Sequence, residues 1–212
     1  MLFYKFAKIT AQTITTKATY EMNLLIKKNL QLVIILLLFT LPNCDSRVVE
    51  TSAEAKKTNN VYNLEWITLE NAELSKSSLN GKVTLVVNVA SKCGYTKQYK
   101  ELQELHDSYE DFQVIGFPCN DFGGQEPGDA SSIQACAKNY EASFTLMSKI
   151  SISNDPRHPI YQMLFESTGV LPKWNFGKYL IDKNGSPIAF FGSNVKPLSE
   201  EITQKIELAL QN

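Results

Sequence analysis

The chain has 212 residues, with 43% hydrophobic and 20% charged side chains, and 21 basic against 22 acidic residues give a formal charge of -1. That composition excludes a disordered or collagen-like chain, and once the apolar N-terminal stretch is set aside the remainder suits one domain. Near-neutral charge provides no field to recruit nucleic acid or anionic lipid, so nucleic-acid binding is not expected.

In chain order, residues 1–21 carry Lys5, Lys8 and Lys17 without a clean apolar core and read as an upstream extension, with translation expected to begin at Met22. Residues 22–43 place Lys27 and Lys28 ahead of an apolar run from Leu32 to Leu41, the pattern of an export signal. The run is too short to span a bilayer, which takes about 20 apolar residues as helix. It ends at Leu41, Pro42, Asn43 and Cys44, which resembles a bacterial lipoprotein signal. Acylation of Cys44, ordinary cleavage and a retained anchor all stay open, and each places the protein in the cell envelope. Membrane contact is expected only through this segment. Residues 44–60 are polar, aperiodic and free of aromatic residues, and read as a solvated tether. The folded domain is expected over 61–212.

Val61 to Leu69 and a stretch near Leu74 have strand character around Asn71, which predicts an N-terminal hairpin. Val83 to Val89 is an almost unbroken β-branched run, as in a central strand covered on both faces. Tyr99, Leu102, Leu105 or His106, and Tyr109 then recur at helical spacing, predicting a helix that ends near Asp111 and has Cys93 at its N-terminal end. Gln113 to Phe117 reads as a second strand, and PCNDFGGQEPGDAS as an irregular loop. Ile133, Cys136, Ala137 and Tyr140 mark one face of a second helix, capped by Asp129 or Ser131, with Cys136 inward. KYLI and PIAFF flank DKNG as an antiparallel hairpin, and Pro197 and Ser199 open a closing helix through Leu210. The order predicts an α/β, thioredoxin-like domain: a mixed central sheet with helices on both faces and a hairpin at its N-terminus.

The four cysteines, Cys44, Cys93, Cys119 and Cys136, form no CxxC pair, so individual reactivity matters more than stapling. Cys93 follows a buried strand directly. A thiolate, not a thiol, is the nucleophile, and a helix start with unpaired N–H groups favours an anion. On these grounds alone Cys93 reads equally as a nucleophile or as a small buried hydrophobe.

Three segments in register, NVASKCGYT, GFPCNDFGGQEPG and KWNFGKYLIDKNG, resemble the glutathione peroxidases over Val61 to Leu210. The resemblance implies a thiol peroxidase with Cys93 as the peroxidatic residue and Gln125, Trp174 and Asn175 as its catalytic partners. Residue 93 is cysteine, so selenium is not implied, nor is any cofactor. The neutral amides and the indole N–H can hold a thiolate, or the oxygen developing on it, without adding a titrating group. Hydrogen peroxide or an organic or lipid hydroperoxide would be the substrate, and a thioredoxin-like protein or glutathione the reductant.

Cys136 is either the resolving cysteine or a buried helix-face residue, and the first role requires its helix to open. Cys119 reads as structural. The tetrameric animal members of the family it resembles carry a long insertion where this chain has only a few residues between Phe165 and Trp174, so the resemblance implies a monomer without a dedicated glutathione pocket. Thr145 stands in place of a proline, and FGSNVKP replaces a threonine-rich turn. His106 is assigned to a helix surface and His158 to a turn, neither of them catalytic. A thiol-disulfide oxidoreductase would need a second cysteine where Thr96 stands, a peroxiredoxin would show TxxC, and a non-catalytic copper-binding module would need a soft ligand cluster. A Cys93/His158 hydrolase has no local mark.

Overall fold

The computed structural model describes residues 49–50 and 60–212. The expected upstream extension, signal and Cys44, and most of the expected tether, lie outside the described residues. Val49–Glu50, within the stretch read as tether, form a short strand, β1.

The remaining strands are β2 (Val83–Val89), β3 (Phe112–Pro118), β4 (Thr145–Leu146), β5 (Lys178–Ile181) and β6 (Pro187–Phe191). They form one sheet in the order β1-β6-β5-β2-β3-β4. β2 pairs parallel with β3 and antiparallel with β5, while β3 pairs parallel with β4, so the sheet is mixed. All seven residues of β2 are buried, Thr84 and Asn88 included, as in a central strand covered on both faces. Alternation along the strands feeds two cores. Leu85, Val87, Val114 and Leu180 face one side, and Val86, Ile115, Tyr179 and Ile181 the other.

The helices are α1 (Gln98–Asp107), α2 (Ala130–Asn139), α3 (Pro159–Thr168) and α4 (Glu200–Gln211). Tyr99 and Leu102 of α1, Ile133 of α2 and Ile202 and Ile206 of α4 pack on the first side, while Ile160, Tyr161 and Leu164 of α3 pack on the second. This is the expected thioredoxin-like arrangement, with helices on both faces.

The N-terminal hairpin is minimal. Trp66 to Leu74 closes around Asn71 at φ 63, with Thr68 N donating to Ala72 O at 2.8 Å and Leu74 N to Trp66 O at 2.7 Å. Val61–Asn63, read as strand, is instead a 3-10 turn, because the Asn60 side chain accepts from Tyr62 N and starts a turn. The DKNG hairpin forms as expected. Asp182 Oδ1 accepts from Asn184 N and Ser186 N at 3.0 and 2.9 Å.

Two expectations are corrected. α1 stops at Asp107 rather than near Asp111, and it starts at Gln98, so Cys93 lies in the run of turns before the helix and not in its first turn. His106 is not merely on the surface of α1: its Nδ1 accepts from Val114 N at 3.0 Å. β4 pairs only with residues 115 and 116, and the imidazole takes up the strand N–H just before them.

Candidate active site

Three segments that are remote in sequence meet beyond the carboxyl ends of β2 and β3. The first is the turn after β2. Thr96, 2% exposed, knots it: its hydroxyl accepts from Cys93 N at 3.1 Å and lies 2.7 Å from Ala90 O, while Thr96 N donates to Cys93 O at 3.0 Å. Cys93 is half-buried, and its Sγ accepts from Tyr95 N at 3.5 Å. The donor that the helix start was expected to supply is therefore a turn N–H. Sequence reasoning noted Thr96 only as a missing cysteine; its buried position is what shows it to be the knot.

The second segment is the loop after β3. Lys92 N donates to Gln125 O at 3.0 Å, which ties this loop to the residue beside Cys93. Gly123, at φ +67, lies under the indole, since a Cβ there would come within 3.0 Å of Trp174 Cη2. Asp121 anchors the loop by accepting from Ile152 N at 2.6 Å and Ser153 N at 2.8 Å. Those bonds hold its carboxyl below the ordinary carboxylate range although burial opposes them.

The third segment is the turn into β5. Asn175 is fully buried, and its Nδ2 donates to Gln125 Oε1 at 3.0 Å and to Phe122 O at 3.2 Å. With Oε1 occupied as acceptor, the donor end of Gln125 is what it offers to a ligand. Trp174 is 39% exposed, its ring 6.5 Å from Phe122, at the rim of a groove of about 580 Å³ that Tyr95, Val170, Leu171 and Phe190 also line. The structure thus joins Gln125 to Asn175, sets Trp174 over Gly123 of the same loop, and ties Gln125 to the main chain next to Cys93.

Cys136 is half-buried rather than fully inward, and its thiol donates to Ser91 O at 3.9 Å, two residues from Cys93. Cys119 is fully buried, its thiol pushed up to about 12 by burial, which suits the structural reading. His158 packs on Phe117 at 5.9 Å, and burial lowers its pKa. Glu126 was not singled out from the sequence. It is 1% exposed, and burial raises its pKa against hydrogen bonding from Ser91 and the charges of Lys149 and Lys92. Among the described residues no cluster of His, Cys, Asp and Glu could hold a metal ion.

The glutathione peroxidase family profile matches residues 61–165. A glutathione peroxidase-like peroxiredoxin of Saccharomyces cerevisiae is 42% identical over 161 residues, which cover 72% of this chain and 98% of the yeast protein. The chain belongs to the glutathione peroxidase family. A hydroperoxy fatty acid reductase of Synechocystis is 36% identical over 169 residues, covering 74% of this chain and 99% of the relative. The crystal structure of Trgpx in its apo form superposes with a TM-score of 0.59 at 34% identity, covering 74% of this chain and 98% of that one. As a glutathione peroxidase family member the protein is a thiol peroxidase. Thiol-disulfide exchange is the weaker alternative, because the position a second cysteine would need holds the buried Thr96.

Proposed function

We propose that the protein reduces hydrogen peroxide and organic or lipid hydroperoxides at Cys93, with Gln125 and Trp174 as donors to the reacting atoms and Asn175, whose amide is spent on Gln125 Oε1 and Phe122 O, as the catalytic partner that turns the Gln125 donor end toward them. The Cys93 thiolate attacks one peroxide oxygen; the S–O bond forms, the O–O bond breaks, and the departing oxygen takes a proton and leaves as water or an alcohol. The observation that carries this reading is the pairing of Asn175 with Gln125 at 3.0 Å in a loop bonded to Lys92 N, next to the thiol. Neutral donors held in advance by the fold stabilise developing negative charge without reorganising during the reaction. The groove beside Trp174 carries Val170, Leu171 and Phe190, which favours peroxides with an apolar body. The fatty-acid substrate in the name of the Synechocystis relative supports the same view.

The reset step follows from Cys136. Its thiol attacks the Cys93 sulfenic acid; the S–S bond forms, the S–O bond breaks and water leaves, taking the thiol proton. A thioredoxin-like protein then reduces the disulfide by exchange, or glutathione serves as the thiol instead. Contact of the Cys136 sulfur with Ser91 O supports a short path, although bridging geometry still needs the two Cβ atoms within about 3.5–4.5 Å. The protein acts as a monomer in the cell envelope, exported by the signal at 22–43 and cleaved there, held by it as a retained anchor, or lipidated at Cys44.

Peroxide consumption by wild type and Cys93→Ser, with thioredoxin or glutathione supplied, tests the assignment. Activity is expected to fall to background in the variant, and survival of turnover overturns the reading. After one equivalent of peroxide, peptide mapping should find Cys93 bridged to Cys136; a stable sulfenic acid with free Cys136 rejects the bridge. Intact mass of the membrane fraction should show acyl chains on Cys44 if that residue is the anchor.

A further inference from the structure

The turn that presents Trp174 and Asn175 is held from two sides by residues the peroxidase reaction does not use. Phe176 sits at φ 66, a left-handed conformation that crowds the Cβ of a residue with a side chain, so this turn relaxes unless something fixes it. On one side is Asn88, fully buried in β2. Its Nδ2 donates to Trp174 O at 3.0 Å, its main-chain O accepts from Phe176 N at 2.6 Å, and its N donates to Gly177 O at 3.2 Å. A carboxamide in the middle of a β-branched central strand is costly, the more so because its Oδ1 finds no partner. Gly177 is what lets it come so close: a Cβ there would meet Asn88 Oδ1 at 3.1 Å and Pro172 Cβ at 3.0 Å.

On the other side is Lys178, with 0% exposure, whose Nζ donates to Phe176 O at 2.8 Å. A buried amine without a carboxylate in hydrogen-bonding reach is expensive to keep. Glu101 of α1 is the one acid that acts on it, and its Oε2 is itself buried without a partner. Neither Asn88 nor Lys178 lines the groove beside Trp174, and each directs a side-chain donor at a carbonyl of the same turn.

We propose that Asn88 and Lys178 are positioning residues that clasp the left-handed Trp174–Gly177 turn, and so aim the Asn175 amide at Gln125 and hold the Trp174 indole at the mouth of the groove. The inference rests on the reading of Trp174 and Asn175 as catalytic residues. Loosening either side lets Phe176 leave its left-handed conformation. The Asn175 amide then loses its line to Gln125, while the thiol and its own turn remain as they were.

The test uses a Trp66→Phe parent, in which Trp174 is the only tryptophan, and adds Lys178→Met or Asn88→Asp. Peroxide kcat/KM is expected to fall about 10–100-fold, in keeping with the effect of misplacing a catalytic group by roughly 1 Å. Iodide should quench Trp174 fluorescence more strongly, and the alkylation rate of Cys93 should stay within twofold. Folded variants with kcat/KM and quenching both within twofold of the parent overturn the clasp. If neither variant folds, amide exchange in the wild-type protein decides. The Phe176 N–H should then exchange as slowly as amides of β2, and exchange at exposed-loop rates overturns the proposal. Trp174→Phe and Asn175→Ala are assayed alongside. Full activity in those two removes the catalytic reading, whereas loss there with full activity in Lys178→Met removes the clasp alone.

Discussion

Glu126 follows Gln125 directly and is the acidic side chain whose surroundings least suit a charge. Its carboxyl is 1% exposed, and burial raises its pKa although Ser91, Lys149 and Lys92 pull the other way. For an acid raised in the folded state, ionisation costs more folded than unfolded, so stability is greatest below the unfolded value of about 4.3 and falls as pH rises through the higher folded value. Glu126→Gln should therefore flatten the decline in melting temperature between acid and neutral pH and raise stability at pH 7. Thermal melts across that range check it, and a variant less stable than wild type at pH 7 refutes it. The sequence gives no hint of this burden, since a glutamate in a Gly- and Pro-rich loop reads as solvated. The same holds for Thr96 and Asn88. Their roles depend on which backbone groups the fold brings near them, and single-residue chemistry does not carry that information.

At the scale of elements, α2 combines a well-made start with a functional burden. Asp129 caps it, accepting from Ser132 N at 2.9 Å, and hydrogen bonds from Ser132 and Ser131 hold its carboxyl down to about 2. A depressed carboxyl contributes stability that is present above its unfolded pKa and lost as pH falls toward the folded value, so this cap should persist until strongly acid pH. Asp129→Ala should loosen the helix that carries Cys136 and speed formation of the Cys93–Cys136 disulfide severalfold after a peroxide pulse. Stopped-flow quenching followed by mapping measures this, and an unchanged or slower rate counts against a helix that must yield. Helices α1, α2 and α4 and strands β2 and β3 were legible because periodicity and capping are local signals. The start of α1 was not: Tyr99 and Leu102 fix its buried face but not its first turn, which the tertiary knot at Thr96 sets. Likewise the strand character of Val61 gave way to a turn bonded through Asn60.

For the molecule as a whole, the two cores on either side of the sheet contain one full-length cation, Lys178, among the described residues that are completely buried. Burial lowers its pKa to about 7, with Glu101 opposing. A base depressed on folding binds its proton less readily folded than unfolded, so stability should rise as pH climbs from about 7 toward the unfolded value of about 10.4. Urea titrations at pH 7 and pH 9 should show that gain in wild type and its absence in Lys178→Met. Equal slopes in the two proteins would contradict it. The thioredoxin-like architecture was readable from the order of elements, and the three motifs pointed to the residues that assemble. How those motifs are held, through Asn88 and Lys178, depends on pairings across as many as 86 residues, beyond the reach of local patterning.

The register of β2 against β3, with Val89 opposite Pro118, releases the two active-site loops at one end of the strands. The third arm reaches that end only because β5 runs antiparallel to β2. A ribosome making this chain N-terminus first therefore completes the nucleophile long before the groups that tune it. Until the segment from 174 to 181 docks, Cys93 sits in its own turn without the third arm, so the site is whole only once β5 has paired with β2.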